Sequence, residues 1–223
     1  MATDSIETFH EKFQGERFAK YHRALESARP NMPGIAAAEE MLLEWLNSGL
    51  AALGVDADED EVQLADCGCG TEGLAVALQR SKQWNWADTH VHGFDTSELA
   101  RGRSGHDKVK FHFDQPGDMA PADFDGELDA VVYGWSLFEC DITRHVRWAA
   151  ARLSKSKDRA HFLFIFDSAH RFPEDFLDRM KRFGFLLVND KTTANPELGV
   201  LQLKLNEKKA RATDEDAVYL LPV

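Results

Sequence analysis

The chain has 223 residues, of which 43% are hydrophobic, and a formal net charge of −12 at pH 7. This length predicts one folded domain with a sizeable core and a short appendage. No apolar run approaches the roughly 20 residues of a membrane-spanning helix, and no secretory signal pattern opens the chain, so an intracellular protein is expected. The negative charge argues against nucleic-acid binding through broad basic coverage and leaves room for a local basic patch.

The three cysteines are Cys67, Cys69 and Cys140. A disulfide between the first two would be badly strained, because one residue separates them. No second pair of Cys or His stands at the spacing of zinc ligands, so no metal site is expected. Reduced, buried thiols are the simplest interpretation of all three.

The first 60 residues have a helical pattern. Aromatic residues at helical spacing predict a helix over residues 4–29, and a second is predicted at about 35–53. Two prolines and a glycine in 29–34 separate them. We interpret residues 1–60 as an N-terminal helical extension or lid, which ends in a solvated acidic linker at 56–61.

From residue 61 onward, strand-like and helix-like segments alternate, which predicts an α/β fold with a Rossmann-like, mostly parallel sheet of seven strands and helices on both faces. Only residues 190–198 separate the last two strands, too few for a helical crossover, so these strands should form an antiparallel hairpin. The domain is predicted at 61–207 and a tail at 208–223. The predicted strands are 62–66, 90–95, 109–114, 128–133, 161–166, 186–189 and 199–205, and the predicted helices are 73–83, 142–153 and 173–183.

The most informative motif follows the first predicted strand and reads Asp66-Cys67-Gly68-Cys69-Gly70. The pattern is an acid followed by two glycines, between a strand and a helix. Glycine has no Cβ where the chain turns, so a ligand can lie against bare backbone there. Asp66, Gly68 and Gly70 are therefore candidate cofactor-binding residues.

Two further strand ends carry candidate cofactor residues. Asp95 follows the second strand, where an acid holds ribose hydroxyls, although it would also serve as a cap for the following turn. Asp114 ends the third strand and is expected to reach the adenine amino group, with Asp118 as its rival. Gln115 or Met119 would pack against the adenine ring. These residues indicate a nucleoside cofactor.

The charges of the loop favour S-adenosylmethionine (SAM) over NAD. Gly68, Gly70 and Gly73 fit the spacing of a dinucleotide fingerprint, in which a pyrophosphate rests on the helix N-terminus. However, Asp66 and Glu72 would repel a pyrophosphate. SAM has no phosphate, and its ammonium and sulfonium groups suit carboxylates. A turn that binds nothing is the remaining alternative.

The segment Tyr133-Gly134-Trp135-Ser136 follows the fourth strand. A pocket for the substrate that reacts with the cofactor is expected there. Gly134 would give close access, and the rings of Tyr133 and Trp135 would stack on a planar base or on adenine. The alternative is that the two aromatic residues belong to the core. No catalytic residue is assigned, and Tyr133, Trp135 and Ser136 are the candidates; Tyr133 and Gly134 are also cofactor candidates.

Two other positions have weaker signals. His22 would fold over the cofactor as part of the lid, or would be an ordinary surface or packing residue. Ser168 or Arg171, after the fifth strand, would contact substrate or a phosphate. The alternative for that loop is a cap on the helix that follows it.

Several of these segments resemble the ribosomal RNA-processing methyltransferase family, nucleolar SAM enzymes that methylate adenine N1. The predicted sheet with its terminal hairpin is also the arrangement of class I methyltransferases. The similar pieces are the glycine loop (65–70), the second strand (91–95), the fourth strand with its Ser-Leu continuation (129–137), the fifth strand with the segment after it (164–172 and 176–185), and a Tyr-His element near the N-terminus (21–22).

The resemblance implies a SAM cofactor, an RNA acceptor with adenine N1 as the methylated atom, and a nuclear or nucleolar location. Two alternatives remain: a cytoplasmic methyltransferase for a protein or a small molecule, and a SAM- or S-adenosylhomocysteine (SAH)-binding scaffold without catalysis. Carried over by position, the residues that would line the SAM site are His22, Gly68, Asp95, Asp114, Tyr133 and Gly134.

Overall fold

The computed structural model describes part of the chain. The described residues are 44, 61–69, 89–95, 109–112, 124–134, 136–139, 141–153, 161–167, 171–190 and 199–206. The predicted helices at 4–29 and 73–83, the extension 1–60 and the tail 208–223 therefore lie outside them, apart from Glu44, which is helical within the predicted helix 35–53.

The described elements follow the predicted alternation. The strands are β1 (Val62–Cys67), β2 (Thr89–Phe94), β3 (Val109–His112), β4 (Ala130–Gly134), β5 (Phe162–Asp167), β6 (Phe185–Asp190) and β7 (Gly199–Leu205). The helices are α1 (Ile142–Leu153) and α2 (Phe176–Arg182), with a short 3-10 helix at Leu137–Glu139.

The described strands form one seven-stranded sheet in the order β3-β2-β1-β4-β5-β7-β6. Strands β1 to β5 pair in parallel, and β7 is antiparallel to both β5 and β6. The predicted mostly parallel sheet with an antiparallel hairpin is therefore confirmed. Strands β1 to β5 all end on one side of the sheet, which we call its carboxyl end.

The end of β1 differs from its prediction by one residue. Cys67, not Asp66, is the last residue of β1, because it pairs with Phe94 of β2 on one side and with Tyr133 of β4 on the other. Asp95 is the first residue after β2. Both carboxylates still lie at the carboxyl end of the sheet, as predicted.

The other shifts are also small. Strand β4 begins at Ala130 instead of 128, whereas α1 has the predicted bounds. Helix α2 begins at Phe176 instead of 173, because the Phe176 amide donates to the Pro173 carbonyl in a turn that precedes the helix. Residues 113 and 114 lie outside the described residues, so the end predicted for the third strand stays a prediction.

The core lies between the sheet and the two described helices. All six residues of β5 are buried, as expected for a strand covered on both faces. Helix α1 buries one stripe at helical spacing, formed by His145, Val146, Trp148, Ala149 and Leu153. Phe176 and Met180 of α2 join the same core. By contrast, β6 is an edge strand and most of its residues are exposed.

Asp129 ties three strands together at the opposite, amino end of the sheet. Its carboxylate accepts a 2.8 Å hydrogen bond from the Gln63 amide of β1. Its own amide donates to the Gln63 carbonyl at 2.8 Å, and its carbonyl accepts from the Phe162 amide of β5 at 3.1 Å. Because Asp129 is 4% exposed, its side chain keeps a partly buried amide paired away from most of the solvent.

We expect the substitution Asp129→Ala to lower the free energy of unfolding by about 1–3 kcal/mol, because the partly buried Gln63 amide loses its side-chain acceptor. Urea unfolding followed by circular dichroism measures the change. Glu127→Ala, at an exposed position two residues earlier, is the matched control and should change stability little. Equal effects of the two substitutions would contradict the assigned role of Asp129.

Candidate active site

The chain turns sharply at Gly68, directly after β1. The φ angle of Gly68 is 78°, a left-handed conformation that glycine adopts without steric cost. The amides of Gly68 and Cys69 both donate to the Phe94 carbonyl, at 2.7 and 3.1 Å. One carbonyl at the end of β2 therefore holds the turn that follows β1.

Two buried carboxylates lie beside this turn. Asp66 is 5% exposed and Asp95 is 6% exposed. Burial raises the pKa of the Cys69 thiol well above its usual value, and the negative charges of Asp66 and Asp95 raise it further. The thiol is therefore neutral at neutral pH and is a poor nucleophile.

The same negative field defines what the turn can bind. A cationic group is favoured near the carboxylates of Asp66 and Asp95, for the same electrostatic reason that a Cys69 thiolate is disfavoured there. Carboxylate oxygens also accept hydrogen bonds from hydroxyl groups. The turn itself has no side chain at Gly68. This combination suits a ligand with both a positive charge and neighbouring hydroxyls.

Tyr133 packs as a core residue, which is the second of the two interpretations of this position. Its ring is fully buried, and it meets the His145 ring edge-on with 5.7 Å between centroids. Its hydroxyl donates to the His145 carbonyl at 3.3 Å. Stacking of this ring on a bound base would require it to leave the core between β4 and α1.

The space above Gly134 is filled by a neighbouring strand. A Cβ at Gly134 would lie 2.6 Å from Cζ of Phe166 in β5. The Phe166 ring is 6% exposed, so it has little room to move aside. The close approach expected at Gly134 is thus made by an aromatic side chain of the protein, and the sequence pattern carried no signal for this contact.

Ser136 links the two strands at the centre of the sheet. It is 7% exposed, and its hydroxyl donates to the Cys67 carbonyl at 2.6 Å. The strand order reverses direction between β1 and β4, and ligands of open α/β sheets bind at such a point. Ser136 therefore fixes the distance between the glycine turn and the segment after β4, which is a positioning role.

Asp167 and Arg171 form an ion pair beyond β5. Asp167 is 1% exposed, and Nη1 of Arg171 lies 3.4 Å from its Oδ2. The Arg171 guanidinium also lies over the Phe138 ring, 5.7 Å from its centroid. Asp167 and Phe138 were not singled out from the sequence. An acid ending an apolar strand with an arginine four residues later is the signal that would have found the pair.

Several predicted site residues and their alternatives lie outside the described residues and stay predictions. They are His22, Gly70, Glu72, Asp114, Gln115, Asp118, Met119, Trp135 and Ser168. Among the described residues, no group of three or more His, Cys, Asp or Glu side chains is arranged to hold a metal ion. Within the same part of the chain, no helix has the length and apolar character needed to cross a membrane.

Comparison with known proteins gives structural neighbours. No protein-family model and no curated protein matches the chain. Magnesium protoporphyrin IX methyltransferase from Synechocystis PCC 6803, solved with SAM and with SAH, is 16% identical, with TM-scores of 0.57 and 0.58. The match covers 90% of this chain and 97% or 99% of that one.

Two other neighbours have SAH bound. N-methyltransferase NodS from Bradyrhizobium japonicum WM9 is 13% identical, with a TM-score of 0.53 and coverage of 78% of this chain and 89% of that one. The DhpI–SAH complex is 15% identical, with a TM-score of 0.53 and coverage of 84% and 94%. These similarities do not support the resemblance to the rRNA-processing family. What they show is that this chain has the fold of the class I SAM-dependent methyltransferases.

Proposed function

We propose that the protein is a SAM-dependent methyltransferase with a small-molecule acceptor. The observation that carries the proposal is the Gly68 turn, held on the Phe94 carbonyl and flanked by the buried carboxylates of Asp66 and Asp95. The structural neighbours that bind SAM or SAH support it. When bound, SAM supplies an electrophilic methyl group on a positively charged sulfur.

The residues around the turn have separate tasks in this proposal. Asp66 and Asp95 supply negative charge and hydrogen-bond acceptors, and we assign Asp66 to the cationic methionine part and Asp95 to the ribose hydroxyls. Gly68 leaves the backbone bare where the ligand approaches. Ser136 keeps the turn in register with the segment after β4 through its bond to Cys67. The protein thus contributes alignment and electrostatics.

Three observations favour a small acceptor over RNA. The net charge of −12 opposes binding of a polyanion. One structural neighbour is named for a small acceptor, magnesium protoporphyrin IX. The side chains beyond β4 and β5 also include the partly buried rings of Phe138 and Phe172, which pack against the buried Phe176 and suit an apolar acceptor better than a phosphate backbone.

The proposal is tested in two steps. Isothermal titration calorimetry should show binding of SAM and SAH, and no binding of NAD. Transfer of radiolabelled methyl groups from SAM into a fractionated extract should then label the small-molecule fraction. Label in RNA would restore the RNA acceptor, label in protein would indicate a protein acceptor, and binding without any transfer would indicate a scaffold.

We expect Asp66→Asn to weaken SAM binding by about tenfold or more, because a hydrogen bond to a charged group contributes about 1.5–3 kcal/mol. Calorimetric titration measures the change. Asp129→Asn, which alters a buried aspartate at the amino end of the sheet, is the matched control and should leave SAM affinity unchanged. Equal losses for SAM and SAH would indicate an ammonium partner for Asp66, and a larger loss for SAM would indicate the sulfonium. An unchanged affinity would remove Asp66 from the site.

Gly68→Ala tests the turn. An alanine at a φ of 78° costs about 1–2 kcal/mol and places a methyl group where the ligand should lie, so SAM affinity should fall well beyond the effect on stability. Gly184→Ala is the matched control, because Gly184 has a φ of 87° but follows α2 at the amino end of the sheet. This control should lose similar stability and keep SAM affinity. If both variants bind SAM equally well, the ligand does not contact the Gly68 turn.

A further inference from the structure

Strand β6 has an apolar outer edge. It is the last strand of the described sheet and pairs with β7 on one side. Within the described part of the chain, the exposed large hydrophobic side chains all lie on this strand, where Leu186 is 43% exposed, Leu187 42% and Val188 47%. Successive residues of a strand point to opposite faces, so exposure of all three marks the edge of the sheet and not one of its faces. We call these three residues the β6 patch.

The β6 patch has little of the protection that edge strands usually have. Charged residues, prolines and bulges normally keep other strands away from a sheet edge. Residues 183–189 contain neither a charged residue nor a proline. The pairing with β7 is irregular between Leu187 and Asn189, where Val188 has no partner on β7. This irregularity interrupts the backbone ladder but leaves Val188 exposed, so a contact at this edge would be made mainly by side chains.

Charge decides which occupant fits the β6 patch. The chain has a net charge of −12, so two copies of it repel each other electrostatically. That repulsion is smallest where the surface has no charge, as in residues 183–189. A basic partner would find no carboxylate in this segment, and a polyanion would find no cation. An uncharged apolar segment is best matched by another uncharged apolar segment, and a second copy of the chain supplies one.

A twofold axis brings two β6 patches together without opposing like charges. In a symmetric contact the same surface is used by both copies, and the two strands run in opposite directions. With the axis at Leu187, Leu186 of one copy faces Val188 of the other. Asp190, the last residue of β6, then lies at opposite ends of the contact in the two copies. Each Asp190 is directed toward the start of the other β6, which follows the basic last turn of α2.

We propose that the β6 patch is the contact between two copies of this chain, which form a weak symmetric dimer through it. Three half-exposed side chains cover less area than the roughly 800 Å² per partner of a standard stable interface, so the dimer should dissociate on dilution.

This contact is independent of the proposed function. Strands β4, β5 and β7 lie between β1 and β6 in the sheet. Neighbouring strands are about 4.8 Å apart, so the edge lies roughly 20 Å from the Gly68 turn. Dimerisation through β6 therefore leaves the proposed cofactor site open.

Sedimentation velocity of the full-length protein tests the proposal. Wild-type protein should pass from monomer to dimer between low micromolar and submillimolar concentrations. Val188→Lys and Leu187→Lys each place like charges opposite one another in the contact, so each should weaken the dimer by about tenfold or more. Both positions are already exposed, and circular dichroism verifies the fold of each variant. If one variant does not fold, the other still tests the contact.

The matched control is Thr143→Lys, which adds the same charge at an exposed position of α1 and should dimerise like wild type. Cysteine substitutions at the same two positions locate the contact. Val188→Cys should form a disulfide-linked dimer on mild oxidation, because a residue near a twofold axis lies close to its own copy. Thr143→Cys and wild-type protein, which has the three native cysteines, should not.

A monomer at every concentration would overturn the proposal and assign the β6 patch to another segment of the chain or to a different protein. A dimer that both lysine variants retain would place the contact on another surface and would overturn it as well. Calorimetric titration with SAH reports on the proposed function separately, and wild type and Val188→Lys should bind SAH equally. Failure of SAH to bind would refute the proposed function and leave the dimer to be judged by sedimentation.

Discussion

The arrangement at the carboxyl end of the sheet depends on one carbonyl group. Phe94 O accepts hydrogen bonds from the amides of Gly68 and Cys69, and so the chain leaving β1 is bent toward the end of β2. This bend requires the left-handed conformation of Gly68. It places the glycine turn beside two buried carboxylates, and the proposed cofactor site follows from that juxtaposition.

The site is also organised by charge. Asp66 and Asp95 create a negative field at the turn, strong enough to raise the pKa of the Cys69 thiol beyond the effect of burial. On the β5 side, Arg171 partly compensates Asp167 and reaches the surface.

The resemblance to an rRNA-processing family has a physical explanation. An acid and glycines after the first strand meet requirements of the fold, namely a tight turn and a polar ligand at the carboxyl end of a parallel sheet. Proteins of one fold share such features whatever they act on, so the pattern indicates the fold and the cofactor class far better than the acceptor.

The sequence by itself determined the elements and the glycine turn, because each of these depends on neighbours within a few residues. It predicted the alternation of apolar segments, the bounds of α1, the antiparallel hairpin and the strand-end acids Asp66 and Asp95. Only the tertiary structure decided that Tyr133 faces the core, that Phe166 covers Gly134 and that β7 lies between β5 and β6. The bond between Ser136 and Cys67 joins residues 69 positions apart, and no local pattern encodes such a contact, since it exists only once the strand order is set.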